Sequence, residues 1–454
     1  MMKNMFIRVK EGFLRGVGHP VKGMMIIFIL TWMAYSNMFH NPFFMDDFDF
    51  IVDWPLIQDW HNWPRFFIGY VTPDGQDGIF SPFKTLLHAV NYHIFGLEPL
   101  GHHVFTFVGY LVGLILIYKL AFFFLKDRLS TFLCVLLFAL HPVHIEYVSS
   151  MTGGVDAVGV VLLFASFYFY IRIYDANGGF HRRLYLWSLF FAFLSIYLHE
   201  LCITLPVMLL WYDFCFRWGK ISRRKIFSRA APFFLLSVFY VLAKYLTLGV
   251  ISRGRYIYDS FYLTMLVAIK ALAKYVYISF FPLTLTFNQE ISPGIYSFGQ
   301  EDFDRYAVLS QSFLDPQVLV SLGVLGAIAY VAWKNYKTNP LITFCIGWFF
   351  IGLLPGANIV PSGVYFAERY LYAGSLGFCL LFGYYMNKFF QADKKFLKVR
   401  CSAWAAVLMS FIVVFCVVRI WTRNLDGRSE MAVYESAVRA NPQSALMHND
   451  LGII

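Results

Sequence analysis

Residues 22–50 read KGMMIIFILTWMAYSNMFHNPFFMDDFDF, one long apolar run followed by three aspartates set among aromatics. About 20 apolar residues suffice to cross a hydrocarbon core as a helix, and an aspartate inside that core is costly. Residues 22–40 are therefore expected to be a membrane helix, retained rather than cleaved because no small-residue cleavage site follows it. Asp46, Asp47 and Asp49 then stand where the chain leaves the bilayer. Such acids either merely end a helix in water or belong to a site on that rim.

The same apolar texture recurs along all 454 residues, which are 59% hydrophobic, 20% aromatic and only 14% charged, with a mean hydropathy of +0.59. Soluble domains carry about 25% charged residues, so the expected fold class is all-α, a polytopic transmembrane helix bundle. Candidate spans fall at 22–40, 103–125, 129–148, 156–174, 183–199, 201–217, 230–250, 260–288, 314–333, 340–358, 369–390 and 401–421. The net charge of +10 does not point to nucleic acid, because the basic residues sit in short clusters between apolar runs, the pattern of cytoplasmic loops. Those clusters include Lys126/Arg128, Arg172/Arg182/Arg183, the run from Arg217 to Arg229, Lys334/Lys337 and the run from Lys388 to Arg400. All of them reach one side only if one segment fails to cross. The suspect is 260–288, over-long and broken by Pro282, which leaves about 11 spans and one re-entrant or interfacial segment. Seven cysteines without a C-x-x-C spacing are read as core residues.

On this topology loop 41–100 lies outside the cytoplasm. It is acidic, and its Trp54, Trp60 and Trp63 suit interfacial helices. Other outward turns carry His141, His144, Glu146 and Asp156 (in HPVHIEYVSSMTGGVD, 141–156), then His199 and Glu200, Arg253 and Arg255, Glu290, and Glu368 and Arg369. Carboxylates and cations gathered at one membrane face suit an anionic lipid-linked donor and a hydroxyl acceptor. A partly desolvated carboxylate serves as general base, and arginine or lysine stabilises a phosphate leaving group. Plainer readings stand beside these. His141 and His144 suit a solvated helix end and make a weak metal site, Glu200 suits a turn, and Lys270 and Lys274 either snorkel or touch the donor phosphate. The tail YESAVRANPQSALMHNDLG (434–452) reads as a polar amphipathic helix, a turn at Asn441–Pro442 and the start of a second helix, like a seam between tetratricopeptide repeats. The expected organisation is a transmembrane domain over 1–421, with 41–100 as its first extracytoplasmic loop, and a truncated tetratricopeptide-like tail over 422–454, an appendage or a remnant.

Taken in order, NPFFMDDFDFI, LHAVNYHIFGLEPLGHHV, ALHPVHIEYVSSMTGGVD, LHELCITLP and FAERYLYAGSLGFCLL resemble the membrane portion of the transmembrane and tetratricopeptide-repeat-containing O-mannosyltransferases and their prokaryotic relatives, in the GT-C glycosyltransferase superfamily. The match runs over roughly residues 25–452. The resemblance implies a bundle of GT-C type that moves a sugar, commonly mannose, from a polyprenyl-phosphate carrier to an acceptor hydroxyl, usually of a protein Ser or Thr. The transfer inverts the sugar carbon and occurs outside the cytoplasm. It implies Asp46 as catalytic base, with Asp47 orienting the acceptor or a cation, and it places Glu368 and Arg369 on the family's ERYLY element, Arg369 as a phosphate contact.

Several of the family's basic positions are replaced. An Arg-Pro pair reads Ser81–Pro82, a Gly-Arg-x-Asp motif reads Gly154–Val155–Asp156, and Ser-Lys-Glu reads Leu198–His199–Glu200. Lys84, Arg253 and Arg255 are the candidate relocated cations, and His141, His144, Glu146, Asp156, His199, Glu200 and Glu368 the supporting polar residues. No cofactor beyond the lipid-linked sugar is assigned, and a divalent metal is left open without a ligand pattern behind it. Expected partners are membrane lipids, the donor, and a protein or glycan acceptor, with no nucleic acid. Membrane-complex subunits join them in the alternative of a catalytically silent scaffold. A transporter or flippase fits less well, because no internal repeat is seen and the acids sit at one face. The expected location is a multi-pass membrane protein of the cytoplasmic (inner) membrane in a prokaryote or the endoplasmic reticulum in a eukaryote, active face extracytoplasmic.

Overall fold

A computed structural model of the chain describes residues 19–68, 70, 71, 78–174, 178–252, 254–300, 312–392, 395, 396 and 399–454. Helix α1 (Pro20–Tyr35) opens with proline in its first turn, where the missing N–H is not needed. Next come α2 (Pro82–Phe95), α3 (Pro99–Leu125) and α4 (Arg128–Leu140). Asp127 starts α4 by accepting from Ser130 N at 2.7 Å. Then follow α5 (Met151–Ile171), α6 (Arg182–Leu198), α7 (Leu205–Phe216) and α8 (Arg223–Leu248). Helices α9 (Phe261–Phe280), α10 (Pro316–Asn335), α11 (Pro340–Gly352), α12 (Leu371–Gln391) and α13 (Cys401–Asn424) complete the bundle. Two shorter helices, α14 (Glu430–Ala440) and α15 (Ala445–Ile453), form the tail, each capped by a serine, Ser429 and Ser444. Extended structure among the described residues is confined to short pieces, the largest being Glu290–Ser292, Ile295–Tyr296 and Gly299–Gln300.

All the candidate spans exist as helices. Among the described residues seven are long and apolar enough to cross a membrane, or eight if the bent pair Arg128–Leu140 and Pro142–Val148 is one span. The expected number was about 11. The difference lies largely in α6, α7 and α11, which have 17, 12 and 13 residues, short of a full crossing. The segment expected as 260–288 ends as a helix at Phe280, before Pro282, and is itself apolar enough to span. Yet residues on both sides of it, Ile251 and Ser252 before, Phe287 and Phe298 after, line one cavity.

Packing follows from small residues and aromatic fill. Where α11 meets α12, a Cβ on Gly377 would sit 2.3 Å from Cys345 O and one on Gly374 2.8 Å from Phe349 O, so the close backbone approach depends on glycine. Helix α5 lies between α3 and α6, and its Phe164 and Phe167 are fully buried with Trp348 of α11. The seven cysteines are buried and unbonded, as core residues are. Basic clusters such as Arg172, Arg182 and Arg217 occupy the helix ends opposite the cavity. There Arg217 is closed off by Asp213 at 2.9 Å, by Ile171 O at 2.9 Å and by the Tyr174 and Tyr212 rings.

Candidate active site

Because successive helices reverse direction, the polar breaks between alternate apolar runs come together at one end. There they enclose a cavity of about 700 Å³. Met45 has φ +49°, a backbone state uncommon outside glycine and often found at functional turns. It separates the two adjacent aspartates from the end of α1. Asp46 is exposed and lines the cavity. Asp47 is buried and not among the lining residues. Its Oδ1 accepts from Thr152 N at 2.9 Å and Thr152 Oγ1 at 2.8 Å, which ties the first loop to the start of α5. Burial pushes the Asp47 carboxyl up to about 6, against the hydrogen bonds from Thr152 and Phe44.

Four ion pairs line the cavity. Lys84 of α2 meets Asp156 of α5 at 2.9 Å, and His199 Nδ1 approaches the same carboxylate at 3.3 Å. The other ring nitrogen of His199 bonds Tyr147 Oη at 2.8 Å. Arg369 pairs with Glu146 through its guanidinium and through its backbone N–H at 2.9 Å. Burial alone would lower the Arg369 guanidinium, but Glu146 raises it above its ordinary value. Lys244 of α8 meets Glu200 at 2.7 Å, and Arg423 of α13 meets Asp426 at 2.8 Å. Six carboxylates (Asp46, Glu146, Asp156, Glu200, Glu368 and Asp426) thus face four cations. The two left over are Asp46 and Glu368, which have no cation within 4 Å among the described residues. Glu368 is buried and accepts from Thr286 N at 2.7 Å and Gln289 Nε2 at 3.1 Å. Burial pushes it up to about 7, with Arg423 pulling the other way.

Asp46, Lys84, Glu146, Asp156, His199, Glu200, Glu368 and Arg369 therefore meet around one space. His141 and His144 do not line it. His144 Nδ1 lies 2.9 Å from Phe138 O, a carbonyl left at the break in the bent pair, and His141 Nε2 lies 3.0 Å from Ser279 O near the end of α9. Arg255 also lies off the lining, its carbonyl accepting from Tyr365 Oη at 3.0 Å, and Arg253 falls outside the described residues. Trp54 is buried with Ile57, Phe66 and Ala89 rather than at an interface, whereas Trp60 and Trp63 are exposed. Lys270 and Lys274 are engaged by Asp315 and by the Glu290 carbonyl, away from the cavity. Among the described residues no group of three or more His, Cys, Asp or Glu is placed to hold a metal ion. Lys244, Arg423 and Asp426 were not anticipated, though a lone cation within an apolar run is itself a signal of function.

No family model matches the chain. It is 23% identical over 454 residues to protein O-mannosyl-transferase F38B6.6 of Caenorhabditis elegans, covering 96% of this chain and 60% of that one. It is 24% identical over 398 residues to protein O-mannosyl-transferase TMTC3 of Mus musculus, covering 82% and 42%. Among solved structures it is similar to the oligosaccharyltransferase of Archaeoglobus fulgidus, with a TM-score of 0.49 and 12% identity over 96% of this chain and 59% of that one. The resemblance read from the motifs is borne out in these relatives, and the chain spans roughly half the length of the two O-mannosyl-transferases.

Proposed function

We propose that the chain is a membrane glycosyltransferase that moves a sugar, mannose by its resemblance, from a polyprenyl-phosphate donor to a protein Ser or Thr hydroxyl. The observation that carries this is the state of Asp46. Every other carboxylate on the cavity wall is either paired with a cation or, for Glu368, buried, while Asp46 is exposed and unpaired among the described residues. A base must reach the proton it takes, and this carboxylate is the one free to do so. Asp46 accepts the hydroxyl proton as the acceptor oxygen forms its bond to the anomeric carbon. The bond from that carbon to the phosphate oxygen breaks, the electron pair leaves with the phosphate, and a single displacement inverts the sugar carbon. Lys84 and Arg369, oriented by Asp156 and Glu146, are positioned to hold the departing anion. Asp47 and Thr152 fix the loop that carries the base.

Two unlike boundaries support two substrates. On one side Val207, Ile251, Leu354, Ile359 and Val360 line the cavity and are each more than a third exposed, which suits an isoprenoid chain lying in the lipid. On another side Asn424 and Asp426 supply polar groups next to the tail, which suits a water-borne protein segment. The carboxylate-rich face is then extracytoplasmic, opposite the basic clusters.

The test is Asp46→Asn in membranes given a radiolabelled polyprenyl-phosphate sugar. Label transfer should fall by about 10²- to 10⁴-fold, the usual contribution of a general base, while thermal stability stays unchanged because the side chain is exposed. Undiminished transfer would remove Asp46 as the base. A wild-type chain that transfers label from no donor would favour the silent scaffold.

A further inference from the structure

Resting on that reading, we infer that Lys244 grips the lipid phosphate, and that Glu200 holds this ammonium until the phosphate arrives. Arg253 and Arg255 were among the donor-phosphate cations expected from the sequence beside Lys84 and Arg369. Arg255 does not line the cavity, whereas Lys244, one turn before the end of α8, does. It stands between the apolar boundary and the charged interior. Val241 and Tyr240, about one turn earlier, and Ile251 and Ser252, just past the helix, line the same wall. An isoprenoid chain lying along Ile251, Ile359 and Val360 brings its headgroup to Lys244.

The exposure of the partners decides which lysine is able to change partner. Lys84 and Asp156 have side chains 12% and 14% exposed, so separating them strands a buried carboxylate. Lys244 is 9% exposed, but its partner Glu200 is 44% exposed. Water takes over at Glu200 at little cost, and the ammonium turns to a phosphate oxygen. During transfer a phosphodiester with one negative charge becomes a phosphomonoester with up to two. A cation beside the leaving oxygen therefore binds the product side more strongly than the donor, which is the condition for lowering the barrier.

The experiment measures binding of radiolabelled polyprenyl phosphate to the purified full chain in nanodiscs, so no sugar transfer is needed. Lys244→Met should weaken binding by about ten- to a hundredfold, the worth of a charge-assisted hydrogen bond. Lys244→Arg should retain most of the affinity. Glu200→Gln should tighten binding, because a neutral amide oxygen holds the ammonium less strongly than the carboxylate does, and the double variant should match Lys244→Met. A merely structural pair would weaken binding in both single variants. That outcome, or unchanged binding in Lys244→Met, overturns the inference while leaving the proposed function intact. Inorganic phosphate competing as well as the lipid would also overturn it, since the lipid chain is what delivers the headgroup. A wild-type chain that binds no polyprenyl phosphate defeats the underlying reading itself.

Discussion

Two lysines, each paired with a carboxylate, sit on helices that are long and apolar enough to cross a membrane, and they do opposite things. Lys270 of α9 meets Asp315, with side chains only 3% and 6% exposed. Lys270 also donates to Ser292 Oγ at 2.9 Å, and Asp315 caps α10 by accepting from Gln317 N at 2.8 Å. Every element of that pair is committed to joining α9, the short extended piece at Glu290–Ser292 and α10. Lys244 of α8 is also largely buried, 9% exposed, but its partner Glu200 is open to the cavity. The difference between structure and site is therefore not the presence of an intramembrane charge but whether the partner keeps access to water.

The largest effect that separates the two is on stability. Lys270→Met leaves Asp315 as an uncompensated buried charge, which costs about 3–5 kcal/mol. Denaturant or thermal unfolding in detergent should register that loss, and the fraction that remains folded should still transfer sugar. A variant with unchanged stability, or one folded and inactive, would erase the distinction between a closed pair and a working one.

The same distinction explains what the sequence disclosed. Asp46, Glu146, Asp156, His199, Glu200, Glu368 and Arg369 all lie in short polar breaks between apolar runs. A chain that alternates direction must bring such breaks to one end, so their convergence is legible in the sequence. Lys244 and Arg423 lie near the ends of apolar helices, where a cation reads as one that merely reaches for the interface. Their roles depend on Glu200, 44 positions away, and on Asp426 in the turn just beyond α13. Lys270 neither snorkels nor lines the cavity but meets Asp315, which comes 45 residues later, and no periodicity connects them. The histidines 141 and 144 misled because their acceptors, Ser279 O near the end of α9 and Phe138 O at the 52° bend, reach them only in the folded chain. Adjacent identical residues are the hardest case. Asp46 and Asp47 differ by one position, and the left-handed Met45 with the Thr152 anchor sends one to the cavity and the other into the body.

Asp47 and Glu368 carry the comparison to carboxyls with no cation beside them, and they make it readable by pH. Burial raises them to about 6 and about 7 from ordinary values of 3.8 and 4.5. A carboxyl raised in this way holds its proton better in the fold than in the unfolded chain. Its stabilisation is complete below about pH 4 and is lost as the pH climbs through the folded value. Unfolding free energy should therefore fall between about pH 4 and pH 7 by a few kcal/mol in total. Asp47→Asn should remove the lower part of that decline and Glu368→Gln the upper part, because neither amide titrates. If the difference between each variant and the wild type stays constant across the range, the two groups are ionised in the fold, and burial without a cation does not hold them neutral.

The smallest effect is expected at the open pair, and its smallness is the point. Removing Lys244 leaves Glu200, 44% exposed, to be solvated by the water that already reaches it. Glu200→Gln keeps an oxygen for the ammonium to donate to. A double-mutant cycle on unfolding should therefore return a coupling of under about 1 kcal/mol, the range of exposed pairs, and it should shrink further as salt is raised. A coupling as large as that expected for Lys270 and Asp315 would mean that separating Lys244 from Glu200 is as costly as breaking a buried pair. No phosphate contact of ordinary strength then repays the exchange, and Lys244 belongs with the structure rather than with the site.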